Sequence, residues 1–419
     1  MSQNGNIDII YMTLFPWDNE YSSVSLSFTK EFAKNNRVFY INHPYSIKDY
    51  WNNRKTANAQ KRKAKLLKGQ MQYEPIPGLD EERVIAIHPP LTIPINWLPP
   101  GKIYNFFYRL NRRKIEKTIQ KVIKDYKINN YVYLNCYDPF FVGTLPKNKF
   151  SPLLNIYQCI DDFAIEPYAA KHGLGLENIA IKKADVVVAT SSNLVKIKKY
   201  LNPNIHLLPN AVDLTIFDKA VSEKLPIPSE IANVKNKMIG FTGNMDNVRF
   251  DFPLVKKMAE VHHDKTVVLV GPINCDDFYT LGIDKLPNVI ITGSKNIQEL
   301  PNYLQYFDVT IIPFALNKQT ESIYPLKINE YLAAGKAIVS TSFSEDIKTF
   351  ADWIYLAQDE QHFIQLIDVA IAENDEHKIE KRVAKAKTNT WVERVKSFWK
   401  IVGKNLDKVD GVKRKSKIE

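Results

Sequence analysis

Three cysteines in 419 residues, Cys136, Cys159 and Cys275, are odd in number, far apart and not in metal-ligand spacing. That argues against a disulfide framework and a cysteine-held metal. It fits buried thiols in a reducing compartment. No apolar run reaches about 18 residues, so no membrane-spanning helix is expected. The start, Met-Ser-Gln-Asn-Gly-Asn, leads at once into a strand-like run, which does not fit a signal peptide. No Gly-x-Gly-x-x-Gly occurs, so the dinucleotide fingerprint is missing.

What remains is a globular composition, 45% hydrophobic and 25% charged, rich in Tyr and Phe. The length asks for two domains of about 200 residues rather than one core. The net charge of +11 is clustered. Arg54, Lys55, Lys61, Arg62, Lys63, Lys65 and Lys68 share a stretch without an acid. Arg109, Arg112, Arg113, Lys114, Lys117, Lys121 and Lys124 follow Phe106-Phe107-Tyr108 on a helical segment. Residues 413–417 form a third cluster. Such patches attract anionic surfaces, or they are solvated helix faces. No nucleic-acid fold signature accompanies them, so an anionic membrane surface is preferred to nucleic acid as partner.

The chain alternates strand and helix. Strands at 7–13 and 38–42 flank a helix over 25–35, a βαβ start that implies a parallel sheet. Residues 44–100 read as a loop-rich insertion, a lid or membrane-facing loop, with disorder of 53–68 as the alternative. A helix over 103–126 and strands at 131–135, 155–160, 185–190 and 206–210 complete a first domain over 1–210. Asp138, Asp161 and Asp162 follow strands, at the carboxyl ends where open α/β sheets place ligands. Each is equally a turn or cap residue. His43 and His88 precede prolines and read as loop surface. Residues 211–236 suit a linker. The rhythm then restarts in a second domain over 237–387, with late helices over 359–372 and 373–387. A final amphipathic helix over 391–402 and a loose basic tail over 403–419 follow. A ligand cleft is expected between two such domains.

The stretch Ser322-Ile-Tyr-Pro-Leu-Lys-Ile-Asn-Glu330, continuing to Ser340, reads as loop, helix, Gly turn and strand. Pro325 suits a helix start and Gly335 a helix end. Lys327 and Glu330 share a face at the end that favours anions. The cation suits a diphosphate and the carboxylate ribose hydroxyls, although the spacing is also that of a surface ion pair.

Several segments, in this order, resemble a GT-B glycosyltransferase of the retaining group 1 (family 4) type, in the branch with teichuronic-acid-type transferases. They are Tyr157-Gln-Cys-Ile-Asp-Asp-Phe163, Glu177 with residues 184–191, Leu208-Pro-Asn-Ala-Val-Asp-Leu-Thr-Ile-Phe217, Ile239-Gly-Phe-Thr-Gly243, Val268-Leu-Val-Gly-Pro272 and, most strongly, residues 325–339. The resemblance implies two Rossmann-like doubly wound domains facing a central cleft. The first would bind the acceptor and the second a UDP- or GDP-sugar, and the helix at 388–402 would cross back to the first domain. It implies transfer to a glycan or lipid-linked acceptor in cell-surface polysaccharide synthesis, at the cytoplasmic face of the membrane. Lys327 carries over to the diphosphate and Glu330 to the ribose. The turn of Gly243 and Asn244 would approach the phosphates, with Arg249 as a second cation. One departure stands out. The family's donor-sugar Glu falls on Ser322, with Glu321 one place away, so one of these two is expected to contact the sugar. Otherwise the donor class differs or activity is reduced.

No Asp-x-Asp occurs, so Lys327 and helix N-termini, rather than a metal cofactor, are expected to stabilise the leaving diphosphate. Asp138, Asp161 and Asp162 are the candidates on the acceptor side. A sugar-nucleotide epimerase of the same fold and a non-catalytic partner in glycan assembly are the alternative readings.

Overall fold

The computed structural model describes residues 7–18, 23–165, 171–372 and 375–415, with 409–415 as backbone only. Residues 19–22 of the first loop, the expected helix start at Glu373 and residues 416–419 of the basic tail lie outside the described residues. The chain divides into two units. One is Met1–Thr190, Leu194–Leu208 and Val395–Glu419. The other is Ser191–Asn193 with Pro209–Arg394.

The first unit is built on β1 (Asp8–Thr13), β2 (Val38–Asn42), β3 (Gln72–Pro75), β4 (Val84–His88), β5 (Tyr131–Cys136), β6 (Asn155–Cys159), β7 (Val186–Ala189) and β8 (Ile205–Leu207). They form one sheet in the order β3-β4-β2-β1-β5-β6-β7-β8. Every pairing is parallel except β3 with β4. Strands β1, β2, β5, β6 and β7 are buried throughout, as continuous apolar runs in a sheet covered on both faces must be. The strand order reverses between β1 and β5, where Thr13 lies beside Cys136. A crevice at the carboxyl ends is expected at such a switch point.

Residues 44–100 are not the loop-rich insertion that their composition suggests. They contain helices Ile47–Asn53 and Ala57–Leu67 as well as β3 and β4. A Ser46/Asp49 capping box starts the first helix, and the Thr56 side chain caps the second. The stretch read as purely basic finds its acids elsewhere in the sequence. Arg62, 1% exposed, pairs with Asp18 at 2.8 Å and with Glu74 at 3.0 Å. Glu74 also meets Lys61, and His88 at 3.0 Å. Helix Ala57–Leu67 is thereby tied to the sheet edge.

The second unit carries β9 (Met238–Thr242), β10 (Thr266–Val270), β11 (Val289–Gly293), β12 (Val309–Ile312), β13 (Ile338–Thr341) and β14 (Tyr355–Ala357). All are parallel, in the order β11-β10-β9-β12-β13-β14, with the reversal between β9 and β12. Strand β14 is three residues long and shows no periodicity, so composition alone does not reveal it. The last helix runs from Trp391 to Lys415, well past the expected end at 402. Within the first unit, Phe398 and Trp399 pack on Phe32, and Asn204 donates to Asn405 at 2.9 Å. These tertiary anchors outweigh Gly403, which weakens an isolated helix by about 1 kcal/mol.

The Arg62 network generates a stability prediction. Burial alone would raise the Glu74 carboxyl, but His88, Lys61 and Arg62 outweigh it and bring its pKa down to about 2. A depressed carboxylate contributes stability above its unfolded value of about 4.3 and loses it as pH falls toward 2. Glu74→Gln should therefore destabilise the first unit by about 3 kcal/mol at neutral pH in urea unfolding, the low end for breaking a buried ion pair, because buried Arg62 keeps Asp18 as its carboxylate partner. The gap between variant and parent should narrow as pH is lowered through this window.

Candidate functional site

In the second unit the site residues gather where β9 ends. The chain leaves β9 through Gly243, at φ 140°, and its N–H donates to Val270 at 2.7 Å. A side chain there would run into the Lys327 ammonium arm, so this glycine is what lets the lysine lie against the turn. Lys327 comes from helix Leu326–Ala333, which opens after Pro325. The helix closes at Ala334, with Gly335 at φ 67° and the Lys336 N–H returning to the Tyr331 carbonyl. Hydrogen bonds between Thr242 and Tyr331 fix helix to turn. The backbone N–H of Thr242 donates to the buried Tyr331 hydroxyl at 2.8 Å.

Lys327 Nζ sits 5.6 Å from the Phe241 ring centroid. Glu330 is 7% exposed. Among the described residues, neither the Lys327 ammonium nor the Glu330 carboxylate makes a hydrogen bond or a close ion pair. Burial pushes the Lys327 ammonium below its ordinary value, with Glu330 opposing the shift and Arg249 adding to it. Burial pushes the Glu330 carboxyl up, and Lys327 only partly restrains it. Burial thus disfavours the charged form of each group. Such a state is costly unless a bound group of opposite polarity completes it.

The neighbouring candidates are differently engaged. Arg249 is tied to Asp246 by Nε at 2.7 Å and Nη2 at 2.5 Å. Burial would raise Asp246, but the Arg249 contacts hold it below the usual carboxylate value. Asn244 accepts from Asn274 at 2.6 Å and donates to Asp246 at 3.3 Å. Ser322 is 2% exposed, and its hydroxyl accepts from Asn193, which groups with this unit, at 2.9 Å. Glu321, on the same 3₁₀ turn, is exposed.

In the first unit, Asp138 follows β5 and is fully buried. Its backbone is clasped by Asn135, and its carboxylate accepts from the Phe140 N–H at 3.2 Å and from His43 Nδ1 at 2.8 Å. Asp162 accepts from Lys198 at 3.3 Å, and Lys198 is also paired with buried Glu177 at 2.8 Å. Asp161 is half-buried beside it. The structure thus brings Asp161 and Asp162 together and places Asp138 in a separate pair with His43.

His43 is the residue that sequence reasoning missed. It follows β2 directly, at the same carboxyl end of the sheet as Asp138. It lines a cavity of about 440 Å³ with Leu14, Phe140 and Phe141. The rule that singled out the aspartates applies equally to it, and the following proline hid that. His88, by contrast, is buried in the Arg62 network rather than on a loop surface. Among the described residues, no group of three or more His, Cys, Asp or Glu is arranged to hold a metal ion.

Two Rossmann-like parallel sheets in tandem, each with a strand-order reversal, are the GT-B fold of glycosyltransferases. Residues 236–373 match the family model described as Glycosyl transferases, group 1. Half of the chain aligns at 29% identity over 220 residues with TuaH of Bacillus subtilis (strain 168), whose name assigns it to teichuronic acid biosynthesis as a glycosyltransferase. The match covers 55% of that protein's length, so the chain spans about half of the curated relative. Among solved structures, a glycosyltransferase from Rickettsia africae ESF-5 superposes with a TM-score of 0.63 at 16% identity, over 96% of this chain and 99% of that one. A trehalose-6-phosphate protein from E. coli bound with UDP-2-fluoro glucose gives 0.65 at 10% identity, over 94% and 99%. At these identities the likeness is one of fold.

The anchoring of the helix can be tested by itself. Tyr331→Phe leaves the Thr242 N–H buried without an acceptor, which costs about 1–3 kcal/mol. Urea unfolding of the second unit should show a loss of that size.

Proposed function

We propose that the protein transfers a sugar from a nucleotide-sugar donor to a hydroxyl of a glycan or lipid-linked acceptor, in the synthesis of cell-surface polysaccharide. The observation that carries this reading is half-buried Lys327 and buried Glu330, neither hydrogen-bonded nor ion-paired among the described residues, on the first turns of a helix that abuts the Gly243 turn. A nucleoside diphosphate supplies what they lack. Its phosphate oxygens meet the ammonium and the helix N-terminus, and its ribose hydroxyls donate to the carboxylate. Lys327 then stabilises the charge that develops on the departing diphosphate, and no metal is required. Gly243 and Asn244 border the phosphates, and Arg249 adds positive charge nearby. Glu321, free of partners among the described residues, takes the donor sugar in place of the carboxylate that Ser322 lacks. Retention of the anomeric configuration follows from the sequence resemblance. The TuaH relative supports teichuronic-acid-type polymers as the product class.

We assign the acceptor to the first unit and a membrane surface to its basic face. Arg109, Arg112, Arg113 and Lys149 line a depression of about 220 Å³ with Glu116 as the one acid among its lining residues. Ile47, Trp51, Ile103 and Phe106 are exposed apolar side chains on the same two helical segments as Lys48, Arg54, Lys102 and Arg109. Aromatic and basic side chains together suit an anionic lipid interface. No helix among the described residues is long and apolar enough to cross a membrane, so the attachment would be peripheral, at the cytoplasmic face.

Purified protein offered a panel of UDP- and GDP-sugars should bind one donor and release its nucleoside diphosphate, with EDTA leaving the rate unchanged. Lys327→Ala and Glu330→Ala should each weaken donor binding at least about tenfold, as loss of a charged hydrogen bond requires. If no donor binds and both variants leave glycan synthesis in cells intact, the enzyme reading is wrong. Glu321→Ala should weaken the intact donor but not free nucleoside diphosphate. Vesicles with anionic lipid should retain the protein at low salt and release it at high salt. Indifference to such vesicles removes the membrane assignment.

A further inference from the structure

A basic cavity of the second unit lies away from Lys327. It is walled by Trp353, Ile354 and Tyr355, around the amino end of β14, and by Lys378, Lys381 and Arg382 of helix Glu376–Lys387. All strands of this sheet are parallel, and the Gly243 turn follows the carboxyl end of β9, so cavity and turn lie at opposite ends of the sheet. Gly335 connects the two. It follows the helix that carries Lys327 on its first turn, and its carbonyl accepts from Arg382 Nη1 at 3.3 Å. A side chain on Gly335 would strike Ile379, so helix Glu376–Lys387 packs directly on the far end of the Lys327 helix. At about 280 Å³ the cavity is near the small end for ligand pockets.

Its charge is one-sided. Lys378, Lys381 and Arg382 face a single acid, Asp352, among the lining residues, which leaves a surplus of two positive charges. The helix sorts its charges to produce that surplus. Positions 378, 381, 382 and 385 form one row, while the acids Glu376 and Glu380 lie four apart on another face. A helix that only solvates its charges gains by mixing signs along a row, and this one separates them. Arg382 is 2% exposed, and burial pulls its pKa below the ordinary value, with Tyr355 and Asp375 opposing. Half-buried Lys336, beside Gly335, adds to the positive field. Its ammonium donates to the Gln305 and Phe307 carbonyls, both at 2.9 Å.

Cations also hold the aromatic wall. Lys385 Nζ lies 4.3 Å from the Trp353 ring centroid, and Lys378 Nζ lies 3.5 Å from the Tyr355 hydroxyl. Trp353 is half-buried, and its indole N–H has no partner among the described residues. The Lys381 ammonium has none there either. An ammonium and an indole N–H thus border the same space as a buried guanidinium, a donor set suited to phosphate oxygens. A phosphate monoester carries about −1.5 to −2 at pH 7, which matches the surplus, whereas a carboxylate meets half of it.

We propose that this cavity binds a small phosphate monoester, with its phosphate between Lys381 and Arg382 and its organic body against Trp353. The site is separate from the donor site, and the proposal does not rest on the transferase reading.

The test uses the full chain with 5-fluorotryptophan at its six tryptophan positions, read by fluorine NMR. The Trp353 signal is assigned by its loss in Trp353→Phe. Glycerol 3-phosphate, glucose 1-phosphate and glucose 6-phosphate serve as probes, with glucuronate as the carboxylate for comparison. At least one ester should shift the Trp353 signal, and glucuronate should do so more weakly. Lys381→Glu, a change at an exposed side chain that the fold does not need, should weaken the response at least about tenfold, as loss of a charged hydrogen bond requires. Lys327→Ala should leave it unchanged, because that residue lies at the other end of the sheet. If no ester shifts Trp353, if the response survives Lys381→Glu, or if Lys327→Ala abolishes it, the site is refuted. Glucuronate binding as tightly as the esters overturns the assignment to phosphate. If an ester binds as described but UDP and GDP do not bind at all, the site stands and the transferase reading falls.

Discussion

The arrangement depends on one helix packed against one turn. Helix Leu326–Ala333 meets the end of β9 through the hydrogen bond from Thr242 N–H to the Tyr331 hydroxyl. It can approach that closely because residue 243 has no side chain. The contact carries half-buried Lys327 and buried Glu330 into a place where, among the described residues, neither is hydrogen-bonded or ion-paired. A stable fold does not gain from such a pair. The opposed shifts of the two groups, ammonium down and carboxyl up, measure the same unmet demand from both sides.

The first unit shows how differently similar charges can be used. Arg62 with Asp18 and Glu74, and Lys198 with Asp162 and Glu177, are closed networks in which buried charges find opposite charges. They pin a helix and a loop. His43 with Asp138 is open, since one imidazole nitrogen is spent on the carboxylate and the other is not. The distinction between closed and open pairs, more than the presence of charge, separates structure from candidate site in this chain.

Much of the fold was legible because its signals are local. Val38-Phe-Tyr-Ile-Asn42 and Thr266-Val-Val-Leu-Val270 are buried strands that apolar runs alone reveal, and the spacing of Pro325, Lys327, Glu330 and Gly335 gives loop, helix and turn. The misread region, 44–100, is ordered by partners that sequence distance conceals. Arg62 is a buried residue only because Asp18 and Glu74 reach it. The link between His43 and Asp138 spans 95 residues, so neither position announces the other. Ser322 was visible as a departure from the family pattern. Its burial, and the exposure of Glu321 beside it, needed the structure.

The central claim is that Lys327 is a half-buried cation awaiting an anionic ligand. Calorimetric titration of the full chain with UDP and with GDP, in mildly alkaline buffers of different ionisation heat, tests it most directly. Burial lowers the free lysine, and a bound diphosphate raises it again. Binding must then take up protons in the window between the free and the bound lysine's values. The account predicts net proton uptake for the parent protein, and its absence in Lys327→Arg, whose guanidinium stays charged. Nucleotide binding without proton uptake, or with the same uptake in both proteins, would contradict it.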